Sequence, residues 1–67
     1  MNVFINNVAT EVPKEVLTLD DLVRWKNINP QGTAIALNDK LIKQNLWNLT
    51  TIKELDQITI ISAAFGG

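Results

Sequence analysis

The chain reads as an α+β domain in which one helix covers one face of a mixed sheet of four to five strands. Three observations predict this. Short runs of period-two apolar and β-branched residues recur along the chain, a single segment carries an i, i+3, i+4 apolar pattern behind an N-cap, and Asn, Pro, Gly and Asp separate these pieces. At 67 residues there is room for one domain only. A chain this short buries about 60% of the surface its unfolded form exposes, which leaves little space for an enclosed substrate cavity and argues against a stand-alone enzyme.

Asn2 to Asn6 predicts a first strand, with Val3 and Ile5 on the core face and Phe4 on the other. Asn6-Asn7 suits a two-residue hairpin turn, because asparagine tolerates positive φ. Val8, Thr10 and Val12 line one face of the returning strand. Pro13 cannot donate to a ladder, so pairing fades there and Lys14 to Leu17 becomes a connection. Thr18 opens the helix as N-cap with Asp20 and Asp21 in the first turn, where carboxylates suit the helix dipole. Leu19, Leu22 and Val23 form its buried stripe, and Asp20, Arg24 and Lys26 face water. Trp25 fits either the rim of the core or partial exposure.

Asn27, Asn29, Pro30 and Gly32 end the helix in a loop. Thr33 to Leu37 returns to period two, Asn38-Asp39 is a second hairpin turn, and Lys40 to Ile42 is a short strand. Lys43 to Thr51 has no period, and Leu46, Trp47 and Leu49 are assigned to the bottom of the core. Ile58 and Ile60 alternate with Thr59 and Ile61 in the last strand. The first and last strands are both apolar enough to be central, and pairing them side by side makes that pair parallel. Leu19, Leu22 and Val23 then pack onto Val3, Ile5, Ile35, Leu37, Ile58 and Ile60.

Composition removes several function classes. The chain is 46% hydrophobic and 19% charged, with a formal net charge of −1, so it should fold and has no basic excess for nucleic acid. It contains no cysteine and no histidine, which removes disulfides, thiolate metal sites and the commonest general base. Adjacent Asp20 and Asp21 serve the helix dipole; no metal site and no catalytic residue is assigned. Lys40 and Lys43 are solvated turn residues. No apolar run approaches a membrane span and Met1 leads straight into a strand, so a cytoplasmic protein, free of membranes and monomeric when alone, is expected.

The C-terminus carries the candidate chemistry. Side chains stop after Phe65, and the chain ends at Gly66-Gly67 with an α-carboxylate that no Cβ shields. Residues 1–65 form the domain and residues 66–67 a flexible tail that can thread a narrow channel in a partner. A carboxylate is a poor electrophile, so this end needs activation as an acyl-adenylate made by another protein. On the face opposite the core, Phe4, Ala34, Ala36, Ile61 and Ala63 form a flat apolar group, extended by Phe65, where an uncovered sheet face is ordinarily polar. That group is the candidate partner-binding surface.

Val3-Phe4-Ile5-Asn6, the helix start Thr18-Leu19 with Leu22-Val23, Ala34-Ile35-Ala36-Leu37-Asn38, Trp47, Asp56-Gln-Ile-Thr-Ile-Ile and the terminal Gly66-Gly67 together carry a resemblance. Over nearly its whole length the chain resembles the ThiS family of sulfur carrier proteins, ubiquitin-like β-grasp domains used in forming the thiazole of thiamine. The resemblance implies that a ubiquitin-activating-like adenylyltransferase of the ThiF type, using MgATP, adenylates the Gly67 carboxylate. Sulfur transfer then gives a thiocarboxylate, which a thiazole synthase of the ThiG type uses as donor. It implies no cofactor bound by this chain itself, and it places Ala36 and Ile61 in the patch that meets partners.

Two turns depart from the family: Asn38-Asp39 replaces the Asn-Gly of many members, and Leu55-Asp56 replaces Gly-Asp. Leucine at positive φ is costly, so the second change bears on the turn geometry. Other uses of the same end stay open. These are a molybdopterin synthase small subunit, which also works through a thiocarboxylate, a protein modifier joined to lysines through Gly67, and an interaction module with an idle tail.

Overall fold

The computed structural model describes residues 1–62. Its elements follow in chain order as β1 (Asn2–Ile5), β2 (Val8–Glu11), α1 (Leu19–Trp25), β3 (Thr33–Leu37), β4 (Lys40–Ile42), a 3₁₀ helix (Gln44–Leu49) and β5 (Gln57–Ser62). The five strands form one sheet in the order β2-β1-β5-β3-β4. β5 runs parallel to β1, in register Ile5 with Ile58, and antiparallel to β3, in register Ile35 with Ile60. The last strand therefore lies between the two hairpins, and the mixed sheet with one helix is a β-grasp fold.

Both hairpins turn on two left-handed residues, Asn6 and Asn7 at φ 50° and 68°, and Asn38 and Asp39 at φ 50° and 69°. This is the mirror-image turn whose twist matches that of the flanking strands. β1 ends at Ile5, one residue earlier than predicted, because Asn6 already belongs to the turn.

Thr18 caps α1 through a reciprocal box. The Asp21 N–H donates to Thr18 Oγ1 at 3.2 Å, while the N–H groups of Leu17 and Thr18 donate to Asp21 Oδ2 at 3.0 and 3.1 Å. These backbone donors, Leu17 first, hold the Asp21 carboxyl below the usual carboxylate range. Arg24 pairs with Asp20 one turn earlier on the solvent face, and the Lys26 ammonium stands 5.9 Å from the centre of the half-exposed Trp25 ring.

Leu19, Leu22 and Val23 are buried against Val3, Ile5, Ile35 and Ile58, as the periodicity requires. Leu37 and Ile60, expected in the same cluster, are only partly buried at its edge. Val12, just past the end of β2, is buried, whereas Val8 on the same face is 63% exposed and lines an open groove with Lys26 and Ile28. Val16 and Ile52 complete the core from connections, tied there when the Ile52 N–H donates to the Leu17 carbonyl at 2.9 Å and the Leu19 N–H to that of Thr50 at 3.1 Å.

The assignment of Leu46 and Leu49 to the core is corrected by the structure. They are 44% and 74% exposed, and Trp47 alone turns inward, 1% exposed, with its indole N–H donating to the Ile42 carbonyl at 3.0 Å. A 3₁₀ helix has three residues per turn, so positions 46 and 49 eclipse on one side and Trp47 points about a third of a turn away.

Leu55 adopts φ 67° despite the cost to leucine, and its side chain is 61% exposed. Neighbouring bonds over-determine the turn: the Leu55 N–H donates to the Asn2 carbonyl at 2.7 Å, and the Lys53 N–H to Asp56 Oδ2 at 2.7 Å. Leu55→Gly should therefore stabilise the domain by about 1 kcal/mol, since left-handed backbone costs other residues about 1–2 kcal/mol and little burial is lost. A rise in Tm of roughly 4–8 °C follows. A lowered Tm would show that the exposed leucine contributes packing that outweighs the strain.

Candidate functional site

Chemistry-bearing residues within the domain are few. Among the described residues no polar or charged side chain is buried, and no three acidic residues gather where they could hold a metal ion. An open groove of about 550 Å³ lies beside the C-terminal end of α1, lined by Ile5, Asn6, Val8, Thr10, Lys26, Ile28, Ile60 and Ser62. Lys26 is the one ionisable group among these described residues, so the groove sets no acid against a base. No helix of the described residues is long and apolar enough to cross a membrane.

The sheet face away from α1 is where the predicted surface residues meet. Strand alternation turns Val3, Ile5, Ile35 and Ile58 toward the helix and leaves Phe4, Ala34, Ala36 and Ile61 on the other side. Register places Ala34 opposite Ile61 and Ala36 opposite Thr59, while Phe4 pairs with Gln57 across β1 and β5. Phe4, Ala34 and Ala36 are half-buried, and Ile61 is 59% exposed.

One member was missed in the sequence. Leu41, 68% exposed, stands opposite Ala36 on β4 and extends the apolar face to the sheet edge. The signal was available, since a two-residue turn at Asn38-Asp39 pairs Leu37 with Lys40 and hence Ala36 with Leu41. Thr59 and Gln57 interrupt the face with exposed polar groups, so on β5 only Ile61 among the described residues is apolar on this side, and the face is not hydrocarbon across the whole sheet. Ala63, Phe65, Gly66 and Gly67 lie outside the described residues.

Two asparagines tie β5 to its neighbours where backbone pairing stops. At the start of the strand the Gln57 N–H donates to Asn38 Oδ1 at 2.9 Å and Asn38 Nδ2 donates to Asp56 Oδ1 at 3.0 Å. Further along, the Ile60 N–H donates to Asn6 Oδ1 at 2.8 Å and Asn6 Nδ2 donates to the Ile60 carbonyl at 3.3 Å. β5 is thus held at its start, Gln57, and again at Ile60 by side chains from the two hairpin turns.

Comparison with known proteins agrees with this geometry. Two solved structures of a thiamine biosynthesis protein (ThiS) from Geobacter metallireducens share the fold. A crystal structure superposes with TM-score 0.85 at 20% identity, covering 100% of both chains. A solution NMR structure superposes with TM-score 0.82 at 22% identity, covering 100% of this chain and 88% of that one. No curated protein sequence matches. The ThiS family model matches residues 3–67, from β1 through the terminal diglycine, and the chain accordingly belongs to the ThiS family, the sulfur carriers of thiamine biosynthesis.

Proposed function

We propose that this chain is a protein cosubstrate whose Gly67 carboxylate is loaded with sulfur and unloaded by partner enzymes. The observation that carries the reading is the family match, which extends over residues 3–67 and so includes Gly66-Gly67. A ThiF-type adenylyltransferase uses MgATP as co-reactant. A carboxylate oxygen attacks the α-phosphorus, the bond to the β-phosphate oxygen breaks, and pyrophosphate leaves. A sulfur nucleophile at the sulfide oxidation level then forms a C–S bond as AMP departs with the C–O electrons, leaving a thiocarboxylate. A ThiG-type thiazole synthase consumes that sulfur.

Incubation with a ThiF-type enzyme, MgATP and a sulfide source should raise the intact mass by the difference between one sulfur and one oxygen, confined to the C-terminal peptide. An unchanged mass, under conditions that load an established carrier, would overturn the reading. Lysine-linked conjugates in a cell extract would replace it with that of a protein modifier.

The apolar flank of β5 is the surface by which the partners hold the domain in this proposal. Ile61→Asp should weaken binding to the activating enzyme by tenfold or more, on the order of the 1–3 kcal/mol that a buried interface anchor contributes. Ile61 is exposed in the free chain, so thermal unfolding should be little changed. Calorimetric titration showing equal affinity for variant and parent would move the interface elsewhere.

A further inference from the structure

β1 turns out of the sheet at Asn6, whose backbone is left-handed at φ 50°. Only two residues of β1, Phe4 and Ile5, are in parallel register with β5. The backbone carries the ladder as far as the Asn6 N–H, which donates to the Ile58 carbonyl at 2.9 Å. The next polar groups on that side belong to Ile60, and β1 has no backbone left to meet them. The Asn6 carboxamide does so, accepting from the Ile60 N–H at 2.8 Å and donating to its carbonyl at 3.3 Å. A carboxamide has the donor and acceptor of a peptide group, so the side chain adds one more rung to the ladder after the main chain has left.

On its other side β5 stays paired with β3 as far as Ser62, opposite Thr33. Asn6 thus decides whether the strand is gripped from one side or from both at Ile60, and Gly67 follows Ile60 by seven residues in the sequence (67 − 60). We propose that Asn6 is a positioning residue: its carboxamide holds β5 in place at Ile60 and thereby helps present the Gly67 carboxylate to the activating enzyme. This role rests on the carrier reading above.

Asn6→Gly tests it, because glycine takes the left-handed turn without strain and removes only the carboxamide. Hydrogen exchange of the Ile60 amide should quicken by about tenfold, the loss of one hydrogen bond, while the β1–β2 hairpin keeps its protection. With a ThiF-type enzyme and MgATP, kcat for pyrophosphate release should fall by roughly tenfold or more, as misplacement of a reacting group requires. KM for the carrier should stay within about twofold, because the apolar face is untouched. Asn6→Asp keeps the acceptor for the Ile60 N–H and loses the donor to its carbonyl, so its kcat should lie between those of the parent and the glycine variant, and a value equal to the parent's overturns the role if the glycine variant does not fold. Unchanged kcat in both variants overturns the role of Asn6 and leaves the carrier reading standing, as does a raised KM with unchanged kcat. Failure of the parent chain to be loaded overturns both.

Discussion

Deletion of Gly67 is expected to abolish ATP-dependent loading while leaving stability within roughly 0.5 kcal/mol of the parent, the range for changes remote from packed features. The shortened chain still ends in a carboxylate, on Gly66. That group is displaced by one residue, about 3.3 Å along an extended chain, from where an activating enzyme holds the α-phosphate. A misplacement of 1 Å can already cost a factor of about 100 in rate. Pyrophosphate release and thermal unfolding, measured on the same preparation, separate the two properties. Retained loading would detach the chemistry from Gly67. Unfolding on deletion would show that the diglycine contributes to the domain and not only to access.

Trp47→Ala should be the most damaging single substitution in the domain. The indole is 1% exposed and is the largest of the fully buried side chains. It closes the core beneath α1, and its N–H is satisfied by the Ile42 carbonyl. Truncating a buried tryptophan costs about 3–5 kcal/mol, and a domain of 67 residues at about 0.05–0.15 kcal/mol per residue has only about 3–10 kcal/mol in total. A large part of the population should be unfolded without denaturant at 25 °C, visible as lost near-ultraviolet dichroism and a urea midpoint displaced toward zero. Trp47→Phe keeps most of the volume and loses the hydrogen bond, so it should fall between the two. A Trp47→Ala domain as stable as the parent would mean that the 3₁₀ segment collapses to refill the space.

Where residues carry a period the fold was legible. Val3 and Ile5, Ile35, and Ile58 alternate as strands do, Leu19, Leu22 and Val23 repeat as a helix does, and these set the strand count, the helix and the parallel pairing of β1 with β5. Val16 and Ile52 were not legible, because each lies in a connection whose burial comes from the hydrogen bonds between the Leu17–Leu19 and Thr50–Ile52 segments, a tertiary event with no local signature. The 3₁₀ helix escaped for a related reason: six residues at three per turn leave Trp47 facing inward between two outward leucines, which resembles an irregular apolar run.

The turn at Leu55 ran against its own residue preference. Leucine argues against positive φ, and what enforces it is a set of partners on Asn2 and Asp56 brought together only by folding. For the candidate site, the outward placement of Phe4, Ala34, Ala36 and Ile61 followed from alternation, Leu41 was missed, and Ala63 and Phe65 lie outside the described residues. The link from Asn6 to Ile60 joins residues 54 apart in sequence, and nothing in the composition of either strand announces it.

The position of β5 also has a consequence for biosynthesis. Every other strand precedes it, yet it pairs with both β1 and β3, so the two hairpins have no shared sheet until Gln57–Ser62 leaves the ribosome. Contacts of such long sequence separation form late, after the intervening loop has been closed. A nascent chain interrupted before this strand holds two unjoined hairpins and an uncovered helix face, a species prone to aggregation and open to proteolysis. The strand that joins the two hairpins is thus the last of the described elements to be made.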